Sequence, residues 1–254
     1  MTPADAGAGT RLGLPAAITA ALFDLDGVLT STAALHERAW KQVFDEFLET
    51  RCGPGFQPFT ERDYVSHVDG RPRLDGVREF LKSRDLSVPE GKDGDSEEWT
   101  VHGIGARKDR LLKSMIEHDG VHVYPGSVDY LSAVRAAGLR IGVVSSSANA
   151  AAVLRAAELS EFVEVRIDGE TFARRGLRGK PAPDGFLVAA TELGVAPPHA
   201  AVFEDAVAGV AAGRAGAFGF VVGVERHDDE DHAEALRTAG AHVVVPDLAE
   251  LMES

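Results

Sequence analysis

The sequence predicts an α/β fold: a parallel sheet with helices on both faces, interrupted by one inserted all-helical domain. Three observations carry this. Short apolar runs of strand length recur along the chain, and Ala-rich stretches with helical spacing separate them. Strand alternating with helix in this way implies a parallel sheet covered on both faces. One long segment, residues 32–119, breaks the alternation and holds no clear buried strand.

Residues 1–17 are rich in Ala, Gly and Pro and lack a basic stretch followed by an apolar one, so they read as a floppy leader, not a signal peptide. Residues 18–23 (ITAALF) form a short apolar run that stops at Asp24-Leu25-Asp26-Gly27, which suggests a buried strand. In the insert, Leu35, Ala39, Trp40, Val43, Phe44, Phe47 and Leu48 repeat with helical spacing. Val77, Phe80 and Leu81 suggest a second helix, and Leu111, Leu112, Met115 and Ile116 a third. The chain returns to the sheet near Tyr124-Pro125-Gly126. Strands are then expected at 140–145, 162–167, 200–204, 218–222 and 242–245. Helices are expected at 128–137, 148–158, 184–193, 206–215 and 233–239. The domains are thus the leader 1–17, a core of 18–31 with 120–254, and the helical insert 32–119.

The 254 residues are 44% hydrophobic and 26% charged, ordinary values that exclude a wholly disordered chain. Asp and Glu number 40 against 26 Lys and Arg, which leaves a net charge of −14. That opposes general binding to DNA, RNA or an anionic membrane, which rests on neutralising phosphate. No uninterrupted apolar stretch approaches the roughly 18 residues of a transmembrane helix. The single cysteine, Cys52, excludes an intrachain disulfide and a multi-cysteine zinc site, and suits a reducing, cytoplasmic setting.

Open parallel sheets bind ligands beyond the carboxyl ends of their strands. Asp24 and Asp26 follow the first predicted strand, Ser145, Ser146 and Ser147 the next, and Glu204 and Asp205 a later one. Lys180 lies in a Gly-Lys-Pro-Ala-Pro loop ahead of the helix that starts at Asp184. Four carboxylates at one edge would repel one another. A hard divalent cation removes the conflict, and oxygen ligands favour Mg²⁺. Lys180 and the serines suit the oxygens of a phosphate. A carboxylate nucleophile, a cation and phosphate ligands together describe phosphoryl transfer through an aspartyl phosphate. Each feature also has a plainer reading. Asp26-Gly27 suits a turn, the three serines a helix cap, and Glu204-Asp205 the positive end of a helix dipole.

The string Phe23-Asp24-Leu25-Asp26-Gly27-Val28-Leu29-Thr30, then Ser145, Lys180-Pro181 and Glu204-Asp205, resembles the four ordered motifs of the haloacid dehalogenase superfamily. The resemblance implies a Rossmann-like core and makes the insert a helical cap domain, joined by two strands and closing over substrate by hinge rotation. Within that superfamily the chain is most similar to the β-phosphoglucomutase-like group. His36-Glu37-Arg38-Ala39-Trp40-Lys41, Val123-Tyr124-Pro125-Gly126, Gly179-Lys180-Pro181-Ala182-Pro183-Asp184 and Phe203-Glu204-Asp205-Ala206 carry that likeness, which runs from about 18 to 250.

The resemblance implies a role for each residue. Asp24 attacks phosphorus, and Asp26 is the general acid and base. Mg²⁺ binds the Asp24 carboxylate, the Asp26 carbonyl and Asp205, with Glu204 as a ligand or a support. Ser145 and Lys180 hold the transferred phosphoryl group, and the Lys180-Pro181 bond is cis in relatives. Arg73, in Gly70-Arg71-Pro72-Arg73, grips the second phosphate, with Ser147 and Asn149 assisting from the core and Lys108 from the cap. His36 and Trp40 line the cleft.

Two positions depart from the mutase pattern: Ala148 stands where it has Lys, and Ser31 where Asp is common. Both favour a sugar-phosphate phosphatase. Arg73, His36 and the Tyr-Pro-Gly return favour the conversion of β-glucose 1-phosphate to glucose 6-phosphate. A non-catalytic sugar-phosphate binding protein is a third reading, disfavoured by the presence of both Asp24 and Asp26. The expected partner is a small phosphorylated sugar, for a monomer that binds neither nucleic acid nor membrane. Trp40 also suits cap core, and His36, Arg73 and Lys108 also suit a helix surface. The run 227–232 (HDDEDH) reads as a solvated acidic loop, and Arg174, Arg175 and Arg178 as a basic surface loop.

Overall fold

A computed structural model describes residues 12–68, 71–95, 98–226 and 229–252. In chain order the elements begin with β1 (Ala20–Phe23), β2 (Thr30–Ser31), α1 (Ala33–Cys52), α2 (Glu61–Asp63), α3 (Arg73–Ser83) and α4 (Val101–Asp119). There follow β3 (His122–Val123), α5 (Pro125–Ala136), β4 (Arg140–Val144), α6 (Ala150–Ala156), β5 (Val165–Ile167) and α7 (Gly169–Arg175). Then come α8 (Asp184–Glu192), β6 (Ala200–Glu204), α9 (Val207–Ala215), β7 (Phe220–Val224), α10 (Glu230–Ala239), β8 (Val243–Val245) and a 3₁₀ segment at Leu248–Met252. It divides into two compact units, one of Met1–Ser31 with Val121–Ser254, the other Thr32–Gly120.

In the first unit six strands pair in parallel in the order β5-β4-β1-β6-β7-β8, the expected Rossmann-like arrangement. Every residue of β1 and β6 is buried. Both faces of these strands are covered, which is why their sequences are continuously apolar instead of alternating. The chain winds outward from β1 through β4 to β5, then crosses to β6 and runs on to β8. β1 therefore stands where the winding reverses, and in open parallel sheets ligands bind beyond the carboxyl ends at that point. Phe23 pairs with Val143 on one side and Phe203 on the other, so Asp24 emerges level with Val144 and Glu204. Stacked rings of Phe23 and Phe203, 4.4 Å apart, pack beneath that edge, with Tyr130 against Phe203 at 5.5 Å.

Several expectations are corrected. The leader reading of 1–17 fails at residues 12–14: Leu12 and Leu14 are buried, and the Tyr130 hydroxyl donates to the Leu12 carbonyl at 2.8 Å. Burying a leucine contributes roughly 1.5–3 kcal/mol, enough to hold a short segment down. Residues 1–11 of that leader lie outside the described residues. β5 begins at Val165, not 162, because Ser160–Phe162 forms a 3₁₀ turn. β7 spans Phe220–Val224 where the apolar run predicts 218–222. α6 starts at Ala150, not 148. The serine hydroxyls explain that delay: Ser147 N–H donates to Ser145 Oγ and Asn149 N–H to Ser147 Oγ, each at 3.2 Å. Such local bonds compete with helix formation.

The two strands that join the insert are β2 and β3, and α7 is an element the sequence pattern does not announce. β2 and β3 form a short antiparallel ribbon, pairing Thr30 with Val123 and Ser31 with His122. α7 is N-capped by Asp168, whose carboxylate accepts from the Thr171 N–H and hydroxyl at 2.9 Å each, and C-capped by Gly176 in the left-handed region.

The second unit contains α1 to α4. Its core is aromatic: Phe44 packs on Phe80 at 4.1 Å, Trp40 at 5.0 Å and Phe59 at 5.1 Å. Thr60 and Asp63 form a capping box at the start of α2. No helix among the described residues is long and apolar enough to cross a membrane.

Candidate active site

Asp24 is buried at the carboxyl end of β1, with its N–H donating to the Phe203 carbonyl at 2.9 Å. The Lys180 ammonium is ion-paired with Asp24 and with Glu204, and lies 3.4 Å from the Val144 carbonyl. Lys180 comes from the loop before α8, joined to Pro181 by a cis peptide bond. Burial works against its charge, but the two carboxylates prevail and raise its pKa. Glu204 is almost wholly buried, and burial, opposed by Lys180, pushes its carboxyl up to about 7. Asp205 is raised well above the carboxylate range, first by burial, then by the charges of Glu204 and Asp24.

Asp26 is half-buried two residues past Asp24, on a loop that folds back through Gly27 N–H to the Thr30 carbonyl at 2.8 Å. Gly27 has φ +79°, and a Cβ there would overlap the Asp205 carboxylate. A Cβ at Gly209 would likewise overlap the carboxylate of Glu204. Both glycines leave room for acids at this edge, and Gly27 also takes a backbone conformation that other residues rarely adopt.

The expected ligands Asp24, Asp26, Glu204 and Asp205 are gathered here, but no three His, Cys, Asp or Glu side chains close into a metal cage among the described residues. Lys180 bridges Asp24 and Glu204. The donor set nonetheless fits Mg²⁺. It is all oxygen, one ammonium answers four carboxylates, and Asp205 feels the like charges of Glu204, Asp24 and Asp26.

Ser145 is buried at the end of β4, with its N–H on the Ile167 carbonyl at 2.9 Å. Ser146 is exposed, Ser147 half-buried and Asn149 buried. The serines do not cap α6, whose N-cap residue is Asn149, with no capping hydrogen bond from its side chain. Gly169 N–H donates to the Ser147 carbonyl at 3.1 Å, so the start of α7 braces this loop.

The cap candidates lie in the second unit. His36 is half-buried, with Lys108 Nζ 3.2 Å from its Nδ1. Burial, then the Lys108 charge, holds its pKa well below the ordinary imidazole value. Lys108 is buried, 5.2 Å from the centre of the Trp40 ring, and Trp40 belongs to the aromatic core. Arg73, the first residue of α3, is paired with Asp109 at 2.9 Å. Gly70 lies outside the described residues.

Other charged features resolve simply. Arg175 pairs with Glu192 at 2.6 Å and Arg178 with Asp184 at 2.8 Å, so the basic patch is largely answered by its own acids. Arg174 and Arg175 lie in α7, not in a loop. In the run 227–232, residues 227 and 228 lie outside the described residues, Asp229 caps α10, and His232 pairs with Glu225. The sequence reading also overlooks Arg226, a nearly buried guanidinium bonded to the Gly27 carbonyl at 3.1 Å. No local pattern marks it.

The chain is 52% identical over 246 residues to a β-phosphoglucomutase of Mycobacterium tuberculosis, covering 95% of this chain and 94% of that one. It is 32% identical to a β-phosphoglucomutase of Bacillus subtilis, over 81% of this chain and 82% of the other. A solved β-phosphoglucomutase from Clostridium difficile superposes with a TM-score of 0.73 at 26% identity, covering 92% of this chain and 93% of that one. The family model of haloacid dehalogenase-like hydrolases matches residues 18–216, the stretch that includes Asp24, Ser145, Lys180 and Asp205. Fold, site order and sequence agree, and this chain belongs to the haloacid dehalogenase-like hydrolases.

Proposed function

We propose that this enzyme is a Mg²⁺-dependent phosphotransferase that converts β-glucose 1-phosphate to glucose 6-phosphate through an aspartyl phosphate on Asp24. The observation that carries the reading is the Lys180 ammonium held by Asp24 and Glu204 at the carboxyl end of β1. The 52% identity to a β-phosphoglucomutase over nearly the whole chain supports the substrate. An Asp24 carboxylate oxygen forms the new bond to phosphorus while the bond to the leaving oxygen breaks. Lys180 and the Ser145 hydroxyl hold the phosphoryl oxygens, and the ammonium offsets charge that builds in the transition state. Asp26 protonates the leaving oxygen, then takes the proton of the acceptor hydroxyl as that oxygen bonds phosphorus and the bond from Asp24 to phosphorus breaks. Asp24, the Asp26 carbonyl, Asp205 and Glu204 would hold Mg²⁺, which supplies further positive charge to the phosphoryl oxygens. Ser146, Ser147, Asn149, His36, Trp40, Arg73 and Lys108 are assigned to binding the sugar phosphate. The proposal includes a monomer working in the cytoplasm on a small phosphorylated sugar.

A phosphatase using the same phosphoenzyme is the second reading. It is favoured by Ala148, a position of the serine loop where the mutase pattern has an ammonium and this chain has a methyl, and by the hydrolase family itself. Incubation with β-glucose 1-phosphate, a trace of glucose 1,6-bisphosphate and Mg²⁺ separates the two. Glucose 6-phosphate is the expected product. Inorganic phosphate alone eliminates the mutase and leaves the phosphatase. Unchanged turnover in Asp24→Ala would overturn both and end the aspartyl phosphate assignment.

A further inference from the structure

We propose that Arg226 is a positioning residue that sets the backbone carrying Asp26, an inference that rests on the acid–base role proposed for Asp26. Arg226 follows β7, far in sequence from the loop after β1, yet its guanidinium spans both. Nε donates to the Gly27 carbonyl at 3.1 Å, and Nη2 to the Val28 carbonyl at 2.9 Å and the Ser127 hydroxyl at 2.8 Å. Nη1 bonds the Pro246 carbonyl at 3.2 Å and the Asp247 carboxylate at 2.5 Å. All three guanidinium nitrogens are engaged, and the side chain is only 9% exposed.

The partners form a frame, not a scatter. Ser127 itself donates to the Val28 carbonyl at 2.6 Å, so Val28 is held twice. The guanidinium also lies over the Tyr124 ring at 3.8 Å, and Tyr124 N–H donates to the Leu29 carbonyl at 3.2 Å. The outgoing chain at 27–29 and the returning chain at 124–127 are therefore fastened to one cation. On the other side of Gly27, the Asp205 carboxylate stands where a Cβ would be. The residue after Asp26 is thus fixed through its carbonyl by Arg226 and confined at its α-carbon by Asp205. A displacement of about 1 Å at a reacting group costs about 100-fold in rate. Planar, bridging recognition of several acceptors is what a guanidinium does and an ammonium cannot.

The test is a double-mutant cycle on the full chain with Mg²⁺ and β-glucose 1-phosphate, using Arg226→Met, Asp26→Asn and the two combined. Arg226→Met is expected to lower kcat by about 100-fold with KM within about 3-fold, because substrate groups are untouched. In the Asp26→Asn background the same change is expected to cost less than about 3-fold, since the residue it positions is already gone. Arg226→Lys, which keeps the charge without the fork, is expected to fall between, and it carries the comparison if Arg226→Met fails to melt cooperatively. Additive losses, or a KM rise that matches the kcat fall, would overturn the inference and leave Arg226 a structural residue. Full activity in Asp26→Asn would instead sink the acid–base reading itself, so the two failures are separable.

Discussion

Lys180 and Asp24 stand 156 residues apart in the chain and form an ion pair at the carboxyl end of β1. Glu204 shares the same ammonium, so one cation holds two buried acids from neighbouring strands together. Lys180→Met leaves those acids facing each other without compensation. Breaking a buried pair from one side costs about 3–5 kcal/mol. Loss of transition-state charge stabilisation is expected to lower turnover by about 10²–10³ as well. Urea denaturation and steady-state kinetics check the two effects separately. A variant that keeps wild-type turnover would remove Lys180 from the reaction.

Gly27→Ala combines two penalties. The residue has φ +79°, and the added methyl would meet the Asp205 carboxylate. Strained backbone of this kind costs about 1–3 kcal/mol. Displacing Asp205 is also expected to raise the Mg²⁺ concentration needed for half-maximal turnover. Thermal melts and a Mg²⁺ titration read these out. An unchanged melt together with an unchanged titration would show that the loop after β1 has room to spare.

His36 makes stability depend on pH. Burial, then the Lys108 charge, depresses its folded pKa, while Asp109 pulls weakly the other way. The unfolded chain, titrating near about 6.5, therefore binds more protons as acid is added. The stabilisation linked to neutral His36 is fully present above about pH 6.5 and is lost as pH falls below it. The urea midpoint is expected to drop more steeply between about pH 7.5 and 5.5 in the wild type than in His36→Gln. Parallel slopes would assign the acid sensitivity to other groups.

Phe44 sits among Trp40, Phe59 and Phe80 with no exposed surface. Phe44→Ala is expected to destabilise the helical unit by about 3–5 kcal/mol through lost burial and the cavity left behind. Denaturation followed by near-ultraviolet circular dichroism measures it. A loss below about 1 kcal/mol would mean that the surrounding rings collapse into the space.

Asp24, Ser145, Glu204 and Asp205 are legible in the sequence because strands covered on both faces write continuous apolar runs, and the polar residue that ends each run marks the ligand edge. The Gly-Lys-Pro-Ala-Pro string marks the Lys180 loop in the same local way. α7 escapes that reading because seven residues hold too few apolar positions to show a period. Leu12 escapes it because nothing local distinguishes a leucine that packs from one that waves; its carbonyl finds the Tyr130 hydroxyl only in the folded chain. The sheet order β5-β4-β1-β6-β7-β8 is likewise a tertiary decision, since every strand is apolar enough to pair with any other. Arg226 is the extreme case. Its bonding partners come from three separate stretches of the chain, 27–28, 127 and 246–247. The chain alone determined which groups could do the chemistry, through local patterns of burial and charge. Which distant groups would hold them still was decided by packing, because a hydrogen bond depends on positions in space and leaves no period in the sequence.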